Sequence, residues 1–170
     1  MREQDEAEFM RWAQARRHAL RRLAFGLSTD WHLADDLVQE TLTRIYAAWP
    51  RLARRGELDA YARKVLVNAF LANLRRPWRR EVATDELPEP RTPGGDGAQL
   101  ERVELIAALR SVPPGQRAVL ALRFLEDLSV EQTAQLLDCQ PGTVKSQTSR
   151  GLATLREVLG TDAITMGGTT

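Results

Sequence analysis

Apolar residues return every three or four positions in successive blocks along this chain, the spacing that gathers them on one face of a helix. Phe9, Trp12, Ala13, Leu20, Leu23 and Ala24 predict a first helix over residues 8–25. Leu33, Leu37, Thr41, Ile45 and Ala48 predict a second over 28–48, widened by Leu42, Tyr46 and Trp49 and ended by Pro50. Tyr61, Val65, Leu66, Ala69, Ala72 and Leu74 mark a third over 60–78, which Pro77 should end near Arg76. Further on, Val103, Ile106 and Ala107, flanked by Leu100 and Leu109, open a new block. Pro113-Pro114 interrupts it, and Val119, Leu120, Leu122 and Phe124 predict another helix over 115–125.

The last block, LSVEQTAQLLDCQPGTVKSQTSRGLATL over 128–155, reads as two helices with a sharp break. Ser129 is a good N-cap, and Gln132 three residues later completes a capping-box pattern. Val130, Ala134 and Leu137 share a face. Asp138-Cys139-Gln140 leaves room only for a turn, and aspartate tolerates the left-handed backbone such a turn needs. Pro141 suits the first position of the next helix. There Val144, Thr148, Gly151, Leu152 and Leu155 form an inward stripe. Thr143, Lys145, Ser146, Gln147, Ser149 and Arg150 stay on or beside the outer face. Short, polar and cationic side chains of this kind reach phosphates and base edges from a helix in the major groove. A solvated helical hairpin would give the same pattern.

Between the two sets of helices the periodicity stops. Residues 81–99 hold Pro88, Pro90, Pro93, Gly94, Gly95 and Gly97 and little that is apolar, as expected of an extended, flexible linker. Nineteen residues span at most roughly 65 Å. The expected fold is therefore all-α: two small helical domains, 1–80 and 100–160, joined by the linker 81–99, the second domain a helix-turn-helix. Gly160 ends the last helix, and 161–170 reads as a disordered tail.

Charge sharpens this division. The net formal charge is only +1, yet residues 1–80 carry 16 Lys/Arg against 10 Asp/Glu, and residues 81–99 one against five. A basic front half suggests an anionic partner; the acidic linker suggests a segment that must avoid it. Arg16, Arg17, Arg21 and Arg22 form either a phosphate-facing patch or a solvated face of the first helix. The basic stretch 51–59 is either a binding loop or a plain connector. Along the third helix Arg63, Lys64, Asn68, Asn73, Arg75 and Arg76, followed by Trp78, Arg79 and Arg80, supply donors for phosphates and bases. Trp12, Trp31 and Trp49 are expected in the core.

Little else points to chemistry. No run reaches the ~18 apolar residues of a membrane span, and the charged N-terminus does not look like an export signal, so a cytoplasmic protein is expected. Cys139 has no cysteine to pair with, and with His18 and His32 gives no zinc spacing; it reads as a small apolar residue at the turn. Asp35, Asp36 and Glu40 would need burial and perturbed pKa values to act as acids or bases. Neither a cofactor nor a metal nor a catalytic group is expected.

Two blocks of wording resemble a known family. SVPPGQRAVLALRFLEDLSVEQTA and GTVKSQTSRGLATLRE are similar to region 4 of RNA polymerase sigma factors, and ADDLVQETLTRIYAAW resembles region 2.2. The third helix is similar to regions 2.3 and 2.4. Together, in this order and with a linker between, they resemble extracytoplasmic-function (ECF) sigma factors of the actinobacterial SigE-like group. Asp138 departs from the family's usual turn glycine, and Gln147 stands where arginine is frequent.

The resemblance implies a non-enzymatic sigma factor that binds core RNA polymerase and directs it to promoters. It would dock on the clamp helices of the largest subunit through Asp35, Asp36, Gln39 and Glu40, and on the flap of the second subunit. Arg63, Lys64, Asn68, Arg75, Arg76, Trp78 and Arg79 would contact and help open the −10 element, with the 51–59 loop taking a flipped base. Pro141, Gly142, Thr143, Lys145, Ser146, Gln147 and Arg150 would contact the −35 element. An anti-sigma factor is compatible with this reading. A stand-alone helix-turn-helix regulator would instead predict dimerisation and a palindromic site. A metal-dependent phosphohydrolase built on Asp35, Asp36 and Glu40 would want a second ligand cluster, and the chain offers none in register.

Overall fold

A computed structural model describes residues 2–75 and 96–160, with side chains in the second stretch from Glu104 onward. The described residues form seven α-helices and one π-helical turn, with no strand among them. The chain divides into two compact units, Met1–Asp85 and Glu86–Thr170.

The first unit holds α1 (Glu3–Ser28), α2 (Trp31–Leu52) and α3 (Leu58–Leu74). α1 starts five residues before the helix expected from residue 8. Glu3, Asp5 and Glu6 in its first turn complement the positive end of the helix dipole without burying anything. Its other end runs through Leu27 to Thr29, whose left-handed backbone (φ 54°) closes the helix with an N–H to the Phe25 carbonyl at 2.7 Å. α2 starts at Trp31 rather than at residue 28, capped by Asp30, which accepts from the N–H groups of His32 (2.9 Å) and Leu33 (3.2 Å). Ser28 is buried, and its hydroxyl donates back to the Ala24 carbonyl at 2.8 Å. Pro50 does not end α2. The Ala53 N–H still reaches the Trp49 carbonyl at 2.9 Å, and burying Leu52 holds the helix for two more residues.

Aromatic packing fixes this unit. Phe9 meets Tyr46 and Trp49 edge-on, with ring centroids 5.1 and 5.4 Å apart, and Trp12 leans on Trp49 at 5.8 Å. Trp49 is buried, whereas Trp12 and Trp31 are half-buried. Leu23, Leu27, Leu37, Ile45 and Leu66 fill the rest; each such side chain contributes about 1.5–3 kcal/mol when fully buried. On α3 the buried sector includes Val67 and Phe70, while Ala72, expected inside, is exposed.

The second unit holds α4 (Asp96–Ser111), α5 (Pro114–Leu120), a π-helical turn (Ala121–Leu125), α6 (Val130–Leu137) and α7 (Pro141–Leu159). α4 begins four residues inside the stretch expected to be linker, because the helix-forming run AQLERVELIAAL carries the helix back past Leu100. The rest of that expected linker, and the 161–170 tail, lie mostly or wholly outside the described residues. Ala108, Val112, Leu120 and Leu155 form one small core, and Val119, Ala134 and Val144 a second, with Cys139 packed against the latter. α7 comes close to α5 at Gly151, where a β-carbon would sit 2.9 Å from Leu120 Cδ1. Arg117 is buried and donates to the carbonyls of Leu109 (3.3 Å) and Val112 (3.0 Å), satisfying the C-terminal end of α4. Burial, with Arg110 adding like charge, lowers its pKa to about 10.

The helix expected over 115–125 is not regular to its end. The Glu126 N–H bonds the Ala121 carbonyl five residues back at 3.3 Å. The widened turn leaves Phe124 and Leu125 exposed, so Phe124 is not part of the core. Asp127 then reverses the chain with φ 51°, and Arg123 donates to the Leu128 carbonyl.

Candidate nucleic-acid interface

The α6–turn–α7 hairpin forms as its residues dictate. Ser129 Oγ accepts from the Gln132 N–H at 3.0 Å, and Gln132 Oε1 accepts from the Ser129 N–H at 2.9 Å, a reciprocal capping box. Asp138 closes α6 in the left-handed conformation (φ 52°), and the Cys139 N–H bonds the Ala134 carbonyl at 3.0 Å. Burial and the neighbouring Asp138 raise the Cys139 thiol pKa, which keeps it protonated and suits its role as an apolar filler. Pro141 takes the first position of α7, and Val144, Gly151 and Leu155 are buried as the stripe requires.

Opposite that stripe, Pro141, Gly142, Thr143, Lys145, Ser146, Ser149 and Arg150 are exposed. Gln147 sits at the edge of the face, half-buried, with its amide oxygen enclosed and unpartnered. Ser146 donates to the Thr143 carbonyl at 3.1 Å, which leaves its oxygen lone pairs available. Lys145 and Arg150 make no ion pair among the described residues. Two cations, three hydroxyls and, at the edge, an amide are thus offered from a single helix.

In the first unit, α3 presents Lys64 and Asn68 one turn apart, and Arg75 lies in line with them about two turns on. All three are exposed, and Arg63 is half-buried to one side. Arg76, Trp78 and Arg79 lie outside the described residues. Beside α3, Arg51, Leu52, Arg55, Glu57 and Tyr61 line a cavity of about 210 Å³ in the loop between α2 and α3. Two arginines, a carboxylate and a phenol ring around an apolar floor can hydrogen-bond and stack a planar base.

The acidic residues of α2 are exposed but unequal. Asp35 is gripped by Arg21 through two contacts, at 2.7 and 3.4 Å. That guanidinium lies 4.3 Å over the Trp31 ring, which stacks on Phe25 at 3.9 Å. Glu40 pairs with Arg44 at 2.7 Å within the helix. Asp36 and Gln39 stand between them on the outer face. Of the arginine cluster on α1, Arg16 is likewise committed to a pair at the surface, bonding Asp59 at 2.8 Å alongside the Trp12 indole N–H at 3.3 Å. These clasps join residues 14 and 43 positions apart, so no local spacing announces them. Among the described residues no group of three or more His, Cys, Asp or Glu could hold a metal, and no described helix is long and apolar enough to cross a membrane.

Comparison with known proteins agrees with this layout. Residues 12–80 match the family model for sigma-70 region 2, and residues 102–155 the model for sigma-70 region 4. The chain is 38% identical over 154 residues to an RNA polymerase sigma-E factor of Streptomyces antibioticus, covering 91% of this chain and 86% of that protein. The chain belongs to the extracytoplasmic-function family of RNA polymerase sigma factors. The ECF sigma factor SigE of Mycolicibacterium smegmatis is 34% identical, the match covering 91% of this chain and 64% of that one. Among solved structures, the sigma factor RpoE of Bartonella quintana, crystallised with the anti-sigma factor NepR, superposes with a TM-score of 0.73 at 28% identity, covering 91% of this chain and 98% of that one.

As an ECF sigma factor of the actinobacterial SigE type, the protein binds core RNA polymerase and promoter DNA and directs the polymerase to promoters. It is not an enzyme: bond formation belongs to the polymerase. α6 and α7 as far as Leu155 fall within the region 4 match, and α2 and α3 fall within the region 2 match.

Proposed function

We propose that this sigma factor reads two promoter elements with two separate helices. α7 enters the major groove of the −35 element with Thr143, Lys145, Ser146, Gln147 and Arg150 toward bases and phosphates, and with the backbone at Pro141 and Gly142 against the strand. α3 lies against the −10 element through Lys64, Asn68 and Arg75, joined by Arg63, Arg76, Trp78 and Arg79, and helps open it. The cavity at Arg51, Arg55, Glu57 and Tyr61 takes a base flipped from the stack. α2 docks on the clamp helices of the polymerase largest subunit through Asp36, Gln39 and Glu40, with Asp35 held in place by Arg21. The second unit reaches the flap of the second subunit. Residues 1–80 and 100–160 act as the two binding domains and 81–99 as the link between them.

The observation that supports this most is the outer face of α7, whose two cations make no ion pair among the described residues and which follows a helix fixed by a capping box. Two modest contacts on one polymerase multiply through effective concentration, so neither unit has to bind DNA tightly alone. Work of this kind belongs in the cytoplasm, where core polymerase is. The Bartonella protein was crystallised with an anti-sigma factor, and an inhibitor of that kind that covers these surfaces suits this chain as well.

Run-off transcription with purified core polymerase on a pool of random promoter fragments tests the proposal. Transcripts that need this protein and share two spaced elements are expected. Failure to bind core polymerase at all would return the stand-alone regulator to the front.

A further inference from the structure

The surface of α1 that faces away from α2 and α3 has no part in the interfaces above. From Phe9 to Thr29 the sequence holds five arginines and one histidine and not one acidic residue. The fold divides these arginines. Arg16 and Arg21 are committed to surface ion pairs with Asp59 and Asp35. Arg11, Arg17 and Arg22 are exposed and make no ion pair among the described residues. At 100° per residue, Arg11, His18 and Arg22 fall within about 40° of one another, on the side opposite Phe9, Ala13, Leu20 and Leu27. Gln14 lies on the same strip and Arg17 on its flank. Arg11 and Arg22 are about 16 Å apart along the axis.

The make-up of this strip decides what it fits. An interface with a folded protein is anchored by a desolvated core of aromatic and aliphatic side chains. Apart from exposed Met10, between Gln14 and Arg17, and Ala15 at the other edge, the strip offers guanidinium, imidazole and amide groups. A surface that is mostly polar, strongly positive and spread along a straight helix matches the sugar–phosphate backbone of a duplex. B-DNA presents one charge per about 1.7 Å of axis, so a 16 Å line of arginines lies within reach of several phosphates. We propose that the outer strip of α1, through Arg11, Arg17 and Arg22 with His18 and Gln14 as further donors, binds the phosphate backbone of duplex DNA without regard to sequence. This inference rests on the reading of α3 and α7 as promoter-binding helices. The strip adds affinity and orientation to the holoenzyme while those helices supply the specificity.

The test uses the full chain assembled with core polymerase and a promoter fragment obtained as above. The substitutions Arg11→Gln, Arg17→Gln and Arg22→Gln are combined, which keeps good helix formers at exposed positions, and retained helicity is checked by circular dichroism. Binding is measured against salt concentration. Three lost phosphate contacts lower the magnitude of the log K against log salt slope by about 2.7. They weaken binding about a hundredfold or more at 0.1 M salt, and the two proteins converge near 1 M. The matching Arg→Lys variant keeps most of the slope, since charge is what matters. An unchanged slope and affinity overturn the inference. So does weaker assembly with core polymerase, which would assign the strip to a protein surface, or an altered ratio of affinities for intact and scrambled −10 elements, which would make it a base reader. If wild-type protein gives no polymerase-dependent promoter binding, the parent reading has failed and takes this one with it.

Discussion

The two units are stabilised in different ways. The first rests on large rings: Phe9, Trp12, Tyr46 and Trp49 interlock, and Phe25, Trp31 and Arg21 stack in layers. The second has no aromatic side chain in either buried cluster and depends on small aliphatics, helix caps and a buried arginine. The same contrast runs through their charged surfaces. In the first unit Arg16, Arg21, Asp35 and Glu40 are committed to intramolecular pairs, whereas Lys145 and Arg150 on α7 form none among the described residues. The first unit therefore fixes part of its polar surface through these pairs, while Arg11, Arg17 and Arg22 stay outside them. The second presents a long, simple helix whose charges are available to a ligand.

Trp49→Ala should strike the first unit hardest, since Trp49 is 2% exposed at the centre of the ring cluster. A loss of about 3–5 kcal/mol is expected. All four tryptophans lie in residues 1–85, so urea titration followed by their fluorescence reports that unit alone. Equal destabilisation of both units would break the distinction. In the second unit, Arg117→Met takes the side-chain donor from the Val112 carbonyl, while the Leu109 carbonyl keeps the Val112 N–H, and should cost about 1–3 kcal/mol. The loss should be visible in helical circular dichroism while the tryptophan transition stays in place.

Ser129→Ala removes one half of the capping box and should cost about 1 kcal/mol, again in the second unit only. The smallest effect is in the first unit. Tyr46 donates to Glu6 at 2.9 Å, and that hydrogen bond and charge raise the phenol above its ordinary pKa of 10.0. A raised folded-state pKa means that this contribution is fully present below pH 10 and is lost as pH rises through the higher value. Ultraviolet titration should find one tyrosine ionising late and Glu6→Gln moving it back; an unchanged curve in the variant would refute the coupling.

Much of this was legible before any coordinates. The hairpin was clearest, because Ser129, Gln132, Asp138 and Pro141 act within a few residues of one another and each specifies its own backbone. The inward stripe of α7 was legible for the same reason. Local rules failed where a distant partner or a carbonyl decided the outcome. Pro50 reads as a stop, but burial of Leu52 outweighed it. Phe124 reads as core, but a π-helical turn rotated it outward. The acids of α2 looked equivalent as letters, yet Arg21 singles out Asp35 from 14 residues away. The arginines of α1 divide into paired and unpaired sets only once Asp59 and Asp35 are brought beside them.

Tethered DNA cleavage tests the central claim, that α3 and α7 face two different promoter elements, most directly. In a Cys139→Ser background, an iron chelate is attached through Ala72→Cys on the exposed side of α3 or through Ser149→Cys on that of α7. The holoenzyme is then assembled on a promoter and the cut positions are mapped. The account predicts two separate windows, the α3 probe cutting at the −10 element and the α7 probe at the −35 element. Cuts from both probes in one window, or an α7 probe that leaves the −35 element untouched, would contradict it.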